Sequence, residues 1–227
     1  MKKNTLKQTT SSRRGFLVAT GAATLGLASL GSPIHSVAKV NQDYQGTSDL
    51  EAWFDQIKGK HKIVFDAVTD NEGHQVVWAY TFMATNNKTG TPDQELSAVV
   101  VLRNKAIVLG MDDATWKKYK LGKMFKIIDM AYNATAERNL YWDPKEGEMP
   151  EPGMSIKALQ GRGVLFCVCE AAITMNSRTY AKSKGLDPAE VKKEWIAGLI
   201  PGIQLMPSGV WAIDRAQEHG CSYCSAG

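Results

Sequence analysis

The sequence predicts an α/β protein, a three-layer α/β/α sandwich built on a mainly parallel sheet of about five strands. Short apolar runs recur along the chain, and stretches of helical composition separate them. The run at residues 96–102, LSAVVVL, is almost continuously apolar, as expected of a parallel strand that is buried on both faces. This alternation implies right-handed crossovers and helices on both faces of the sheet.

The first half of the domain repeats a strand and a helix twice. Residues 69–73, TDNEG, form a turn that can lead from a strand into a helix. Residues 138–153 contain three prolines and two glycines, and we expect a loop there. The predicted elements are a strand at 62–68, a helix at 74–86, a strand at 96–102 and a helix at 113–119.

The second half continues the alternation. Asp187 and Pro188 have the residue types of a helix cap and of a first helical position. A turn at 207–210, PSGV, should lead into a helix that ends near His219. The other predicted elements are a short helix at 154–160, strands at 163–169 and 203–206, a helix at 170–184 and a short last strand at 221–225.

The first 38 residues predict an export signal. Arg13 and Arg14 stand directly before Gly-Phe-Leu and a short apolar run that glycines interrupt, which resembles a bacterial twin-arginine signal. Small residues at 36–38 indicate cleavage near Ala38. We therefore expect a periplasmic protein without stable membrane insertion once the signal is removed; the alternative is an uncleaved N-terminal anchor.

Charge excludes one class of partner. Five of the 27 Lys and Arg residues lie in the first 38 positions, where no acidic residue occurs. The remainder therefore has 22 basic and 23 acidic side chains, a net charge near −1. Nothing in this balance favours binding to nucleic acid.

The mature chain is expected to comprise an N-terminal arm, 39–60, and one domain, 61–227. The arm carries an apolar face of Trp53, Phe54 and Ile57 that has no obvious place in the core of the domain. We therefore expect the arm to pack on the domain or on a neighbouring subunit, and the protein to be a homo-oligomer.

Two of the four cysteines, Cys167 and Cys169, lie near the carboxyl end of a predicted strand. On one strand their Cβ atoms would be about 6.6 Å apart, and a disulfide needs about 3.5–4.5 Å. Sites in open parallel sheets form outside the carboxyl ends of the strands. A thiol there, at the start of a helix, faces backbone N–H groups that favour the thiolate, whereas the adjacent Glu170 opposes it. Cys169 is thus the candidate nucleophile, and Cys167 a buried small hydrophobe.

The other two cysteines, Cys221 and Cys224, have the C-x-x-C spacing of metal knuckles and redox pairs. On a strand they would face opposite sides of the sheet, whereas in a turn they could bridge or share a metal, with His219 nearby. No cofactor is predicted. The glycines at 161 and 163 precede a strand, whereas a phosphate-binding loop follows one, and 206–209 lack the first glycine of a nucleophile elbow.

Together these segments resemble the DsrE/DsrF-like proteins. The resemblance covers residues 61–227 and rests chiefly on Gly163-Val164-Leu165-Phe166-Cys167-Val168-Cys169 and on Pro207-Ser208-Gly209-Val210. It implies a parallel α/β/α fold, assembly into oligomers and, in some members, a sulfur relay in which the cysteine matching Cys169 holds a persulfide. The turn at Ser208 and Gly209 is then expected to line the same end of the sheet.

Three functions are compatible with these observations. The leading hypothesis is a periplasmic sulfur carrier or sulfurtransferase-like protein that uses a persulfide on Cys169 and exchanges sulfur with a donor or acceptor protein or a small sulfur compound. The second is a metal- or redox-binding protein that uses Cys221 and Cys224. The third is an oligomeric, non-catalytic binding module in which every cysteine is structural.

Overall fold

A computed structural model of the protein describes residues 47–151 and 153–227. These ranges hold the second half of the arm and all but one residue of the domain. The predicted twin-arginine signal, its cleavage near Ala38 and the first part of the arm lie outside the described residues.

The domain is built on one parallel sheet of five strands, and the predicted α/β fold is confirmed. The strand order is β6-β5-β2-β1-β7, so the first two strands lie near the middle of the sheet. The chain moves outward from β1 to β6 and then returns to the opposite edge with β7. Right-handed crossovers in these two directions place helices on opposite faces of the sheet. The strands are β1 (His61–Ala67), β2 (Leu96–Leu102), β5 (Leu165–Cys169), β6 (Ile203–Met206) and β7 (Ser222–Ser225), and a separate two-stranded hairpin consists of β3 (Ile128–Asp129) and β4 (Ala134–Thr135).

Helices cover both faces of the sheet. One face of the sheet packs in a large apolar cluster with residues of α2, α3, α5, α6 and α7. On the other face, α8 lies across β1, β2, β5 and β6, and α1 packs against α8. The helices are α1 (Thr47–Phe54), α2 (His74–Lys88), α3 (Asp113–Tyr119), α4 (Leu121–Phe125), α5 (Ile156–Gly161), α6 (Glu170–Lys184), α7 (Pro188–Ala197) and α8 (Gly209–Glu218).

Side chains cap several of these helices and fix where they begin. Asp187 accepts hydrogen bonds from the backbone N–H groups of Ala189 and Glu190, as its position before Pro188 predicts. Ser155 caps α5 in the same way, and Gly185 ends α6 in the left-handed conformation. These caps define the ends of the helices that flank the sheet.

Several boundaries differ from the predicted ones by one or two residues. β1 begins at His61 rather than at Lys62. β5 begins at Leu165 because Gly163 has a φ of 88°, which interrupts an extended chain. The β3–β4 hairpin and α4 were not predicted, since neither has a run long enough to form a periodic pattern.

The second half of the arm packs on its own domain. Phe54 is fully buried and Ile57 is 4% exposed, so the expectation that they have no place in the core is wrong. The Phe54 ring lies 5.7 Å from that of Trp211 on α8, and Glu51 accepts a hydrogen bond of 3.0 Å from Arg215. This apolar face therefore no longer argues for an oligomer.

In the described part of the chain, no helix is both long enough and apolar enough to span a membrane.

Candidate functional site

Cys169 lies at the carboxyl end of β5 and is also the N-cap residue of the 15-residue helix α6. Its Sγ accepts a hydrogen bond of 3.3 Å from the backbone N–H of Ala172. The sulfur therefore occupies the place that a serine or aspartate oxygen usually takes at a helix start. The residue is 6% exposed, so it is buried but not sealed.

Arg103 is the charged residue that the sheet brings next to Cys169. The last registered pair of β2 and β5 is Leu102 opposite Val168, and the next residues along are Arg103 and Cys169. The backbone N–H of Arg103 continues the ladder by donating to the carbonyl of Ala67. Neighbouring strands lie about 4.8 Å apart, so Arg103 and Cys169 are adjacent on one face of the sheet.

The guanidinium of Arg103 is held by a carboxylate on β1. Its Nε and Nη2 donate to the two oxygens of Asp66 at 2.6 and 2.9 Å, and the hydroxyl of Tyr223 on β7 donates to Asp66 at 2.9 Å. Burial by itself would raise the pKa of Asp66, but the bonds from Arg103 and Tyr223 outweigh it and lower that pKa. Asp66 is thus an ionised carboxylate that orients Arg103.

The same contacts keep Arg103 positively charged. The pKa of Arg103 is raised, first by its hydrogen bond to Asp66 and further by the negative charge of that carboxylate, while burial opposes the rise. The guanidinium therefore places a positive charge one strand away from the sulfur of Cys169.

The predicted residues Ser208 and Gly209 lie at this same edge. Met206, at the end of β6, is opposite Cys169, and the carbonyl of Pro207 accepts a 3.3 Å hydrogen bond from the backbone N–H of Ala171. Ser208 caps α8, since its Oγ accepts from the backbone N–H of Trp211 at 3.1 Å. The starts of α6 and α8 are therefore neighbours, with Cys169 between them and β2.

Gly209 makes room for Arg103. A Cβ on Gly209 would lie 2.7 Å from the Cβ of Arg103 and 2.9 Å from its Cδ, which is closer than side-chain carbons approach. The absence of a side chain at this position lets the stem of Arg103 pass along the start of α8. Gly209 thus contributes to the site through its size.

Glu170, whose negative charge next to Cys169 opposes a thiolate there, has a cationic partner. Its carboxylate accepts a 2.5 Å hydrogen bond from Nζ of Lys192 on α7. Because this ion pair offsets the charge of Glu170, its opposition to a negative sulfur is weaker than the sequence alone suggests.

Cys167 lies one step deeper on the same face as Cys169. It is fully buried, and burial raises the pKa of its thiol strongly, with a smaller contribution from the charge of Cys169. The prediction that Cys167 packs as a small hydrophobe agrees with this position. All four cysteines of the described chain are free thiols.

The C-x-x-C tail forms a strand. Cys221 precedes β7 and is buried, whereas Cys224 lies within β7 and is half-buried. The ring of His219 lies 5.8 Å from that of Phe54. Within the described ranges, no three His, Cys, Asp or Glu side chains gather as a metal site. The metal- or redox-binding alternative stays a prediction.

Two surface clefts of about 260 and 380 Å³ lie away from this edge, on either side of α4. Lysines line both of them, and Cys169 and Arg103 line neither. We place the candidate site at the sheet edge despite these larger concavities, because the convergent polar groups and the nucleophilic sulfur lie there.

The sequence indicated Cys169, Ser208 and Gly209 but not Arg103, Asp66 and Tyr223. Asp66 carried a usable signal, since it is a single carboxylate inside an otherwise apolar strand. Such a buried charge requires a partner, and an arginine directly after the next strand is a natural one. Tyr223 carried no comparable signal, because its place depends on which strand lies at the edge of the sheet.

No family model matches the chain, and no curated protein matches it. Among solved structures it is similar to a protein of unknown function from Methanobacterium thermoautotrophicum, with 16% sequence identity and a TM-score of 0.38. That match covers 73% of this chain and 98% of the other. The resemblance to the DsrE/DsrF-like proteins stays a prediction.

Proposed function

We propose that the protein is a sulfur carrier of the DsrE-like kind, in which Cys169 accepts a sulfur atom as a persulfide and passes it on. The observation that carries this proposal is the position of Cys169, a cap of α6 at the carboxyl edge of the sheet with Arg103 one strand away. The thiolate is the reactive form of cysteine, and the helix start and the guanidinium both place positive potential beside this sulfur.

The chemistry needs no metal and no bound cofactor. A thiolate attacks a sulfane sulfur by the same displacement that operates in thiol–disulfide exchange. The product, a persulfide anion on Cys169, would keep the same electrostatic partners. A protein with one such cysteine would act as a carrier between a sulfur donor and an acceptor.

Peptide mass spectrometry of protein isolated without reductant tests this proposal. After exposure to inorganic polysulfide, one or more added sulfur atoms are expected on the Cys169 peptide and none on the Cys167 peptide. Cys169→Ser should lose the adduct and still fold, since the change removes little volume. Equal labelling of all four cysteines, or none at Cys169, would favour a non-catalytic binding module.

Two further features of the proposal concern location and assembly. Export by the twin-arginine route predicts that replacing Arg13 and Arg14 by Lys leaves unprocessed precursor in the cytoplasm. Normal periplasmic accumulation of that variant would contradict the proposed location.

The family resemblance predicts a homo-oligomer, and a monomer in light scattering over a wide concentration range would contradict it.

A further inference from the structure

Arg103 offers hydrogen-bond donors that the protein does not use. A guanidinium carries five N–H groups, and Asp66 engages one on Nε and one on Nη2. The remaining three have no acceptor among the residues that the structure describes. The side chain is 29% exposed, so these donors are accessible from solvent beside Cys169.

The orientation of these donors is fixed. Asp66 is almost fully buried and binds Arg103 through both oxygens, which holds the plane of the guanidinium. The absent side chain of Gly209 leaves the stem of Arg103 in contact with the start of α8. A pre-oriented guanidinium of this kind suits planar or tetrahedral oxyanions better than a mobile lysine would.

A second source of positive potential lies against the Arg103 stem. The first backbone N–H groups of α8, beginning with Gly209, have no acceptor within the helix, and the dipole of this ten-residue helix adds to them. The sheet edge beside Cys169 therefore offers an anion two kinds of hydrogen-bond donor, the guanidinium and the start of α8. The N–H groups of Ala171 and Ala172 at the start of α6 are already bonded to the Pro207 carbonyl and to Cys169 Sγ.

We propose that Arg103 makes the sulfur-accepting site specific for one class of sulfur donor. These donors are small oxyanions that carry a sulfane sulfur, the class to which thiosulfate belongs. This inference rests on the proposed function and specifies its substrate class. The sulfonate oxygens bind the free edge of Arg103, which leaves the outer sulfur towards Cys169.

The transfer balances without an oxidant. The proton of the Cys169 thiol leaves to solvent, and the thiolate attacks the outer sulfur of thiosulfate. A sulfur–sulfur bond forms on Cys169 while the sulfur–sulfur bond of thiosulfate breaks, and its electron pair leaves with sulfite. One thiolate and one thiosulfate dianion become one persulfide anion and one sulfite dianion. Arg103 holds the group that departs and is a positioning residue.

The experiment compares two sulfur donors on the full mature protein. The rate at which the Cys169 peptide gains sulfur is measured with thiosulfate and with uncharged elemental sulfur. Arg103→Gln should slow loading from thiosulfate by about ten- to a hundredfold, the loss of a charge-assisted contact. It should change loading from elemental sulfur by less than about threefold, because that donor has no oxyanion to bind.

The wild-type protein provides a second measurement that does not depend on a variant folding. Sulfate, which has the oxyanion but no transferable sulfur, should slow loading from thiosulfate at constant ionic strength and leave loading from elemental sulfur unchanged. Failure of sulfate to compete, or an equal effect of Arg103→Gln on both donors, would overturn the proposed specificity and leave the carrier function intact. Absence of loading from either donor would overturn the carrier function itself.

Discussion

Cys169 and Cys221 are equally buried, each with 6% of its surface exposed, yet they lie in opposite surroundings. Cys169 is at the carboxyl edge of the sheet and caps the start of α6. Cys221 is at the amino end of β7, and its backbone N–H donates to the carbonyl of Ala216 in the last turns of α8. One cysteine thus lies at the positive end of a helix and the other directly after the negative end of one.

This comparison indicates that residual exposure is a poor guide to thiol function in this fold. Burial raises the pKa of Cys221 to about 11, with a smaller opposing effect from Lys62. Cys169 has the same exposure but has Arg103 on the adjacent strand and the Ala172 N–H on its sulfur. We therefore expect the reactivity of a thiol in this fold to follow its position relative to helix ends and strand ends more than its exposed area.

The largest expected effect is a difference in alkylation rate between the two cysteines. With a pKa of about 11, about one Cys221 in ten thousand is ionised at pH 7. We expect iodoacetamide to modify Cys169 at least about a hundredfold faster than Cys221 at neutral pH, as followed by peptide mass spectrometry over time. Denatured protein, in which both thiols react alike, is the control. Equal rates in the folded protein would contradict the expected difference in reactivity between Cys169 and Cys221.

The raised pKa of Cys221 also predicts a loss of stability in alkali. The folded protein holds this proton more tightly than the unfolded chain, in which a thiol has a pKa of about 8.5. The stabilisation is complete below about pH 8.5 and is lost as the pH rises towards about 11. The loss amounts to about 3 kcal/mol, since one pKa unit corresponds to about 1.36 kcal/mol. Urea unfolding between pH 8 and 11 measures it.

Cys221→Ser is the matched variant for this titration, because a serine hydroxyl does not ionise in that range. Its free energy of unfolding should fall less steeply between pH 8.5 and 11 than that of the wild type. Identical slopes would mean that Cys221 has no unusual titration in the folded protein.

The sequence predicted much of the fold because its signals are local. β2, β6 and α6 have the predicted bounds, since each is a short apolar run or a helical stretch with a clear cap or turn beside it. Cys169 was found for the same reason, as the last residue of one strand. Arg103 and Tyr223 were not, because their proximity to Asp66 depends on the order β5-β2-β1-β7, which sequence spacing does not encode.

A substitution at Gly209 sharpens the comparison by moving Arg103 without changing any charge. In Gly209→Ala the new Cβ would meet the Arg103 stem at 2.7 Å, so the arginine must shift. We expect a loss of about 1–3 kcal/mol in stability and about tenfold slower loading of Cys169 from thiosulfate. Gly161→Ala is the control, because nothing lies within 4 Å of the added Cβ there. Equal behaviour of the two variants would show that Arg103 is not constrained by Gly209.

The smallest expected effect concerns Tyr223, whose hydroxyl donates to Asp66, the carboxylate that holds Arg103. Tyr223→Phe removes one hydrogen bond from the carboxylate and leaves both bonds between Asp66 and Arg103 in place. We expect about two- to fivefold slower loading from thiosulfate, the contribution of a single partly exposed hydrogen bond, and no change with elemental sulfur. Tyr132→Phe, on the β3–β4 hairpin, is the matched control, since that exposed ring lies outside the Asp66 network. A loss as large as that of Arg103→Gln would mean that Tyr223 contacts the donor directly, and no loss would mean that Asp66 alone holds Arg103 in position.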